Sequence, residues 1–157
     1  MATITAQLAP AHGSSSRGRQ PYMIEQTIDL TANSIAPGDV VQALTIPANT
    51  KIMAAGLQVT ASATMNASTD ATAILGTAVD DNEYVAAFDI DGAADGAYAP
   101  SATVAGDIVI TSADTLDVTL AGSGASFTAG TLRVYAVLMD VSALGEMTAD
   151  EVSRDAA

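Results

Sequence analysis

The clearest pattern in the sequence is an alternation of side-chain character between residues 53 and 64. Apolar side chains occupy the odd positions from Met53 to Ala63, while the even positions carry mainly glycine, glutamine, serine and threonine. Successive side chains of a β-strand point to opposite faces, so a period of two is typical of a strand with one face buried. We therefore predict a half-buried strand whose odd-numbered residues, Met53 included, face the core.

Seven further segments have strand character and are separated by turn residues. At residues 22–30 the alternation places Ile24 and Ile28 on one face, and a Pro-Gly turn follows at residues 36–39. The other strands are predicted at residues 40–46, 72–77, 84–89, 107–111, 115–120 and 131–141. Seven or eight short strands at a spacing of about ten residues predict an all-β fold, an antiparallel β-sandwich or jelly-roll-like body.

The last predicted strand, residues 131–141, is apolar on both faces. Such a strand is expected at the centre of a sheet that is covered on both sides. The Gly- and Ser-containing residues 121–130 precede it and are predicted to join it to residues 115–120 as a hairpin.

The composition changes at both ends of this β-rich body. Residues 1–21 contain a run of Gly, Ser and Arg that ends at Pro21, which is typical of a flexible, extended arm. Residues 143–157 form a short acidic tail. We predict three regions: an N-terminal arm (1–21), a β-sandwich domain (22–142) and a C-terminal tail (143–157).

The charge balance excludes several classes of partner. The 157 residues include 5 Lys and Arg against 18 Asp and Glu, a net charge of −13. Binding to nucleic acid needs cations that neutralise phosphates, so neither direct nucleic-acid binding nor an anionic membrane surface is expected. No run approaches the roughly 18 apolar residues of a membrane span, and residues 1–13 lack the charged and apolar regions of a signal peptide.

The sequence also lacks the residues that most catalysis requires. Cys is absent, which excludes thiolate metal sites and catalytic thiols. The single histidine, His12, lies in the predicted arm, and no nucleophile elbow or phosphate-binding glycine loop is present. We predict a protein without enzymatic activity and without a cofactor.

One acidic stretch has the oxygen-rich character of a calcium site. Ca²⁺ takes six to eight oxygen ligands, but the stretch fails the EF-hand pattern because Ala93, Ala94 and Pro100 stand where an acid, a glycine and a glutamate are needed. Solvated acids in turns are the better account, and a calcium site of another type is the weaker alternative. Its candidate ligands are Asp80, Asp81, Asp89, Asp91 and Asp95.

The basic residues are distributed unevenly. No Lys or Arg lies between Lys51 and Arg133, a span that holds ten acids. Acids keep a protein soluble and repel other anionic objects, while the arm carries Arg17 and Arg19 at its end. We therefore take Arg17, Arg19 and the adjoining Tyr22 as candidate partner-binding residues.

The arrangement of these strands and turns resembles the decoration, or cement, proteins encoded among the head genes of tailed bacteriophages. The resemblance covers roughly residues 22–141. The segments that carry it are residues 28–30, 37–42, 46–48, 85–87, 114–120 and 130–137.

The resemblance implies a β-sandwich or jelly-roll-like body without enzymatic activity. It further implies a location on the outer surface of an icosahedral capsid, with the major capsid protein as partner and a homo-oligomer, commonly a trimer, as the binding unit. Many weak contacts repeated over a symmetric lattice give high avidity without a deep pocket. Two alternatives stay open: another virion component, such as a head-fibre base or a tail protein, and a calcium-dependent carbohydrate-binding β-sandwich.

Overall fold

A computed structural model describes residues 20–32, 35–66, 70–99 and 108–142. These residues contain eight β-strands, and no helix among them is long and apolar enough to cross a membrane. The strands are β1 (Tyr22–Asp29), β2 (Val40–Ile46), β3 (Thr50–Met65), β4 (Thr72–Gly76), β5 (Val85–Asp89), β6 (Val109–Ile110), β7 (Asp114–Ala121) and β8 (Phe127–Asp140).

The strands form two antiparallel four-stranded sheets. Sheet 1 has the order β1-β8-β3-β6 and sheet 2 the order β2-β7-β4-β5. The first strand therefore pairs with the last, the second with the seventh, the third with the sixth and the fourth with the fifth. A ribbon of antiparallel pairs rolled up in this way is a jelly roll, so the predicted all-β class is confirmed.

The two sheets enclose one hydrophobic core. In β8 every second residue from Leu132 to Leu138 is fully buried, and so are Leu116, Val118 and Leu120 in β7. Burial of a Leu or Val side chain stabilises the folded chain by about 1.5 to 3 kcal/mol. The alternation read from the sequence thus corresponds to the inner faces of the two sheets.

We call the end of the sandwich where β1 begins and β8 ends the lower end, and the opposite end the upper end. Tyr22 pairs with Leu138 and Thr50 pairs with Asp140 at the lower end. The loop between β4 and β5 also lies at this end, because Gly76 pairs with Asp117 near the start of β7.

The edge of β3 that faces away from β8 is covered in its upper half and at its lower end. In its upper half, residues 90–99 run antiparallel to β3, with backbone hydrogen bonds of 2.9 Å from the Val59 nitrogen to the Ala97 oxygen and from the Ala99 nitrogen to the Leu57 oxygen. In its lower half β6 pairs with Thr50 and Lys51. A covered edge does not offer unpaired backbone groups to other chains, which protects the sheet from unspecific pairing.

The predicted hairpin between residues 115–120 and 131–141 is wrong. β7 and β8 lie in different sheets, and residues 122–126 cross from one sheet to the other at the upper end. Each of the two strands buries one apolar face and pairs with a neighbouring strand on both sides. A central position in its own sheet meets both conditions. β8 also begins earlier than predicted, at Phe127, because this buried side chain pairs with Met65.

The face assignment in β3 is wrong at its lower end. Met53 is exposed, whereas Ile52 is buried. The pairing of β3 with β8 shifts between Ile52 and Ala54, so an extra residue reverses the alternation at that point. Above the bulge the prediction holds, since Ala55, Leu57 and Val59 are buried.

The other predicted strands agree with the structure to within a few residues. The predicted strand 107–111 corresponds to the short β6, with Asp107 outside the described residues. β8 is central, as predicted, but its second face is only half-buried in the single chain. The predicted arm up to residue 19 and the tail from residue 143 lie outside the described residues.

Gly130 provides a test of how closely β8 approaches β3 in sheet 1. Its φ is +130°, and a Cβ there would lie 2.7 Å from the Cα of Ala63 and 2.9 Å from a Leu30 methyl carbon. Gly130→Ala should therefore combine backbone strain with a steric clash and lower the free energy of unfolding by about 3 kcal/mol in urea denaturation.

Gly38 is the matched control for this substitution. Its φ is +94°, but nothing lies within 4 Å of the Cβ position. Gly38→Ala should cost only the strain of the left-handed backbone, about 1 kcal/mol. Equal losses in the two variants would contradict a close approach of β8 to Ala63.

Candidate interaction surfaces

The outer face of sheet 1 is one candidate interaction surface. Residues that pair directly across antiparallel strands share a face, so Met23, Val137 and Ala54 form one row of this surface. Glu25, Tyr135 and Gly56 form the next row above it. In these two rows the small residues Ala54 and Gly56 of β3 stand beside the larger Val137 and Tyr135 of β8.

An aromatic cluster occupies the middle of this outer face. The Tyr135 ring lies over Gly56, where a Cβ would be 2.8 Å from the ring Cζ. Tyr98 meets Tyr135 edge to face, with ring centroids 6.0 Å apart. The Arg133 guanidinium donates a hydrogen bond of 2.9 Å to the Tyr98 hydroxyl and lies 3.6 Å from a carboxylate oxygen of Glu25. These contacts hold Arg133 and two tyrosines in place before any partner binds.

Apolar side chains are exposed on the lower half of the same sheet. Met23 is 55% exposed, and the other exposed apolar side chains there are Met53 and Val109. Tyr22 is exposed at the lower end but pairs with the buried Leu138, so it lies on the opposite face. Tyr, Met and Arg are enriched in protein–protein interfaces, while Lys, Glu and Asp are depleted. The composition of this surface is therefore that of a protein-binding surface.

The outer face of sheet 1 differs in charge from the rest of the protein. Lys51 and Arg133, the two basic residues of the described ranges, both lie on the outer face of sheet 1. Two acids, Glu25 and Asp29, share it, while the loops and strands of sheet 2 carry most of the others. The outer face of sheet 1 is thus close to neutral on a strongly anionic protein.

Tyr22, predicted as a partner-binding residue, lies at the lower end of β1 and is 42% exposed. Partial burial raises its pKa, and the negative charge of Asp140 raises it further. The other two candidates, Arg17 and Arg19, lie outside the described residues. Sequence reasoning missed the Tyr98, Tyr135 and Arg133 cluster, because the long-range contact between residues 98 and 135 leaves no local pattern.

The five candidate calcium ligands are divided between the two ends of the sandwich. Asp80 and Asp81 lie in the lower loop between β4 and β5, whereas Asp89 ends β5 at the upper end. Asp95 accepts hydrogen bonds from the nitrogen and hydroxyl of Ser62 at 2.8 and 3.0 Å. In the part of the chain that the structure describes, no three acids or histidines are close enough to hold a metal ion.

The carboxyl groups of Asp89 and Asp91 are close enough to shift each other's pKa. Asp89 accepts a hydrogen bond of 2.7 Å from the Gly92 nitrogen, and this contact lowers its pKa. Burial raises the pKa of Asp91, and the neighbouring Asp89 carboxylate raises it further. The two carboxyl groups therefore differ in their readiness to take up a proton.

A cleft of about 440 Å³ opens at the lower end between the β4–β5 loop and the residues around β6. We call it the lower-end cleft. Burial raises the pKa of Glu83 on its wall, and the nearby Asp80 charge raises it further. Its apolar and acidic lining consists of Val79, Ile108, Val109, Ile110, Asp80, Glu83 and Asp114, with Thr77, Thr111 and Ser112.

Comparison with known proteins shows the fold but no family. No protein-family model and no curated protein matches the sequence. Chains in three phage capsid structures share the fold. A chain of the cyanophage Pam1 capsid asymmetric unit has a TM-score of 0.61 and 19% identity, with 88% of this chain and 97% of that chain covered.

The other two structures give similar values. A chain of the Ralstonia phage GP4 capsid has a TM-score of 0.59 and 20% identity over 91% of this chain and 93% of that one. A chain of the acidic stable capsid structure of Helicobacter pylori bacteriophage KHP30 has a TM-score of 0.57 and 13% identity over 78% and 89%. The jelly roll of this protein is thus a fold found in chains of phage capsids.

The Asp89–Asp91 pair predicts a pH-dependent effect of one substitution. A carboxyl whose pKa is raised by folding destabilises the folded state at neutral pH, and this cost disappears below the unfolded-state pKa of about 3.9. Asp91→Asn keeps the shape of the side chain and removes its charge. We expect the melting temperature at pH 7 to rise by at least about 1 °C, with a smaller difference at pH 3.

Asp81→Asn is the control, because Asp81 is an exposed acid in the lower loop. It removes the same charge far from the pair and should not reproduce the pH dependence. A melting temperature of the Asp91→Asn variant that is lower than wild type at pH 7 would show that the negative charge of Asp91 is needed.

Proposed function

We propose that this protein is a non-enzymatic structural protein of a phage virion, which binds the outer surface of the icosahedral capsid as a decoration or cement protein. The observation that carries the proposal is the extent of the fold match. The shared fold covers 89 to 97% of three chains that occur in phage capsid structures. Those chains are therefore similar to this one over nearly their whole length.

The surface chemistry supports a binding role. The aromatic cluster with Arg133 is built on rigid strands of sheet 1, so little conformational freedom is lost when a partner binds. Weak contacts of this kind suffice on a capsid, because the lattice repeats them many times. The major capsid protein is the partner that this proposal implies.

We further propose that the protein binds as a homotrimer and that the lower half of the outer face of sheet 1 forms one side of the contact between copies, because a cyclic trimer joins two different patches of neighbouring chains. A chain with a charge of −13 repels its own copies over most of its surface. The near-neutral face with Met23, Met53 and Val109 is where copies approach at the lowest electrostatic cost. Burial of these side chains supplies the favourable term.

Met23→Asp tests this contact. The substitution introduces a charge into the proposed apolar contact and should raise the dissociation constant of the oligomer at least tenfold, as about 1.4 kcal/mol corresponds to a factor of ten. Sedimentation velocity over a range of protein concentrations measures it.

Val40→Asp is the matched control, because Val40 is 56% exposed, close to the 55% of Met23, but lies on β2 of sheet 2. This variant should associate nearly as wild type does. Equal weakening by both substitutions, or a wild-type protein that stays monomeric at high concentration, would overturn the assignment of this face.

Binding to empty phage heads tests the capsid role directly. The full-length protein should co-sediment with heads and appear as density on their outer surface in electron cryomicroscopy. Deletion of residues 1–20 should leave the melting temperature nearly unchanged, because the strands begin at Tyr22, but should reduce occupancy on the heads. Failure of the full-length protein to bind heads would refute the decoration role.

The same fold match supports a second candidate, another virion component such as a head-fibre base or a tail protein. Location of the protein in the particle separates the two. Density at a single vertex or in the tail supports the second candidate, whereas density repeated over the capsid surface supports decoration.

A further inference from the structure

The loop between β4 and β5 carries an apolar tip. Val79 is 93% exposed, more than any other large apolar side chain of the described residues, and Ala78 beside it is exposed as well. A single exposed valine is ordinary on a protein surface, but one that projects from a loop presents nearly its whole side chain to a partner. We call Ala78 and Val79 the loop tip.

Two backbone contacts hold the loop tip in place. The Thr77 nitrogen donates a hydrogen bond of 2.8 Å to the Asp80 oxygen, which closes the turn around the tip. The backbone of Asp80 and Asp81 packs directly on Gly76, where a Cβ would lie 2.7 Å from the Asp81 Cα. Only glycine allows so close an approach. A loop that is ordered before binding loses little conformational freedom when a partner covers it.

The lower half of the outer face of sheet 1 is the apolar surface that suits this tip. Met23, Met53 and Val109 are exposed there, and the half-buried Val137 and Met139 lie on β8 between β1 and β3. Methionine side chains are flexible and adapt to the shape of a partner. A surface with three of them can therefore enclose a branched side chain such as valine.

The charges of the two surfaces are complementary. Lys51 lies on the lower half of the outer face of sheet 1 and pairs with Val109. Asp80 and Glu83 follow the loop tip in its own loop. The acidic loop is therefore attracted to this face and repelled by the acid-rich remainder of a neighbouring copy, which has a net charge of −13.

The positions of the two surfaces fit a closed ring of copies. Val109 belongs to the outer face of sheet 1 and also lines the lower-end cleft, and Val79 lines the same cleft. The two surfaces therefore adjoin each other at β6. A contact between two different surfaces builds a ring when the rotation closes and an open filament when it does not. Adjoining surfaces turn each copy relative to the last, as a ring of few subunits requires, whereas opposite surfaces would add copies in a line.

We propose that in the homotrimer the loop tip of each copy packs on the exposed Met23, Met53 and Val109 of the next copy. This contact rests on the trimer proposed above and supplies the second side of its interface. Three equivalent contacts close the ring, and each brings the acids of the loop close to Lys51 of the neighbouring copy.

Val79→Asp tests the loop tip in the full-length protein. It should raise the dissociation constant of the oligomer at least tenfold in sedimentation velocity, as Met23→Asp does, because it places a charge in an apolar contact. Val79 is almost fully exposed in the single chain, so the variant should fold and keep the far-UV circular dichroism spectrum of the wild type. Val40→Asp is the matched control and should associate nearly as the wild type does.

A mixture of the two variants tests whether two different surfaces meet. In Met23→Asp the loop tip is intact, and in Val79→Asp the methionine face is intact. Each variant alone should be mainly monomeric, because every contact contains one altered side. In an equal mixture at the same total concentration, the intact tip of one variant meets the intact face of the other, so dimers should form but closed trimers should not.

The outcomes separate this contact from the trimer itself. A wild-type protein that stays monomeric at high concentration would refute the trimer and the loop-tip contact together. A wild-type trimer that Met23→Asp weakens and Val79→Asp does not would leave the trimer standing and overturn the loop-tip contact. Two monomeric variants that form no dimers in their mixture would also overturn it, because the two surfaces would then not meet each other.

Discussion

The constraint on which the fold depends is that β7 and β8 each need a partner strand on both sides and an apolar layer on one face. Placed in two facing sheets, β7 and β8 both line the same core with their apolar faces. The chain resolves this by placing β8 between β1 and β3, and β7 between β2 and β4. Every other pairing in the jelly roll follows, because the ribbon that begins with β1 and β8 must continue with β2 and β7.

This arrangement uses most of the large apolar side chains in one inner layer. The core contains the fully buried leucines and isoleucines of both sheets, together with several buried alanines. The outer face of sheet 1 carries the exposed side chains of Met23, Tyr98 and Val109. Since a small two-layer body buries a limited apolar area, part of the apolar surface stays exposed on this outer face.

The alternation of apolar residues predicted the strands well, because the alternation within a strand involves residues that are neighbours along the chain. It failed where a property of the whole sheet decides: the bulge after Ile52 exposes Met53, and the crossing of residues 122–126 separates β7 from β8. The candidate interaction surface could be predicted even less well from the sequence. Tyr98 meets Tyr135 only because residues 90–99 run along β3, and no local pattern encodes that contact.

The distribution of charge follows from the same topology. The acid-rich span between Lys51 and Arg133 supplies three of the four strands of sheet 2, β4, β5 and β7, and the loops that join them. Arg133 lies on β8 and Lys51 on β3, so the rolling of the ribbon brings both cations to sheet 1. A charge pattern that is spread along the sequence thus becomes an anionic body with one near-neutral face. Because like charges repel at long range, another anionic protein surface meets less electrostatic repulsion at this face than elsewhere on the body.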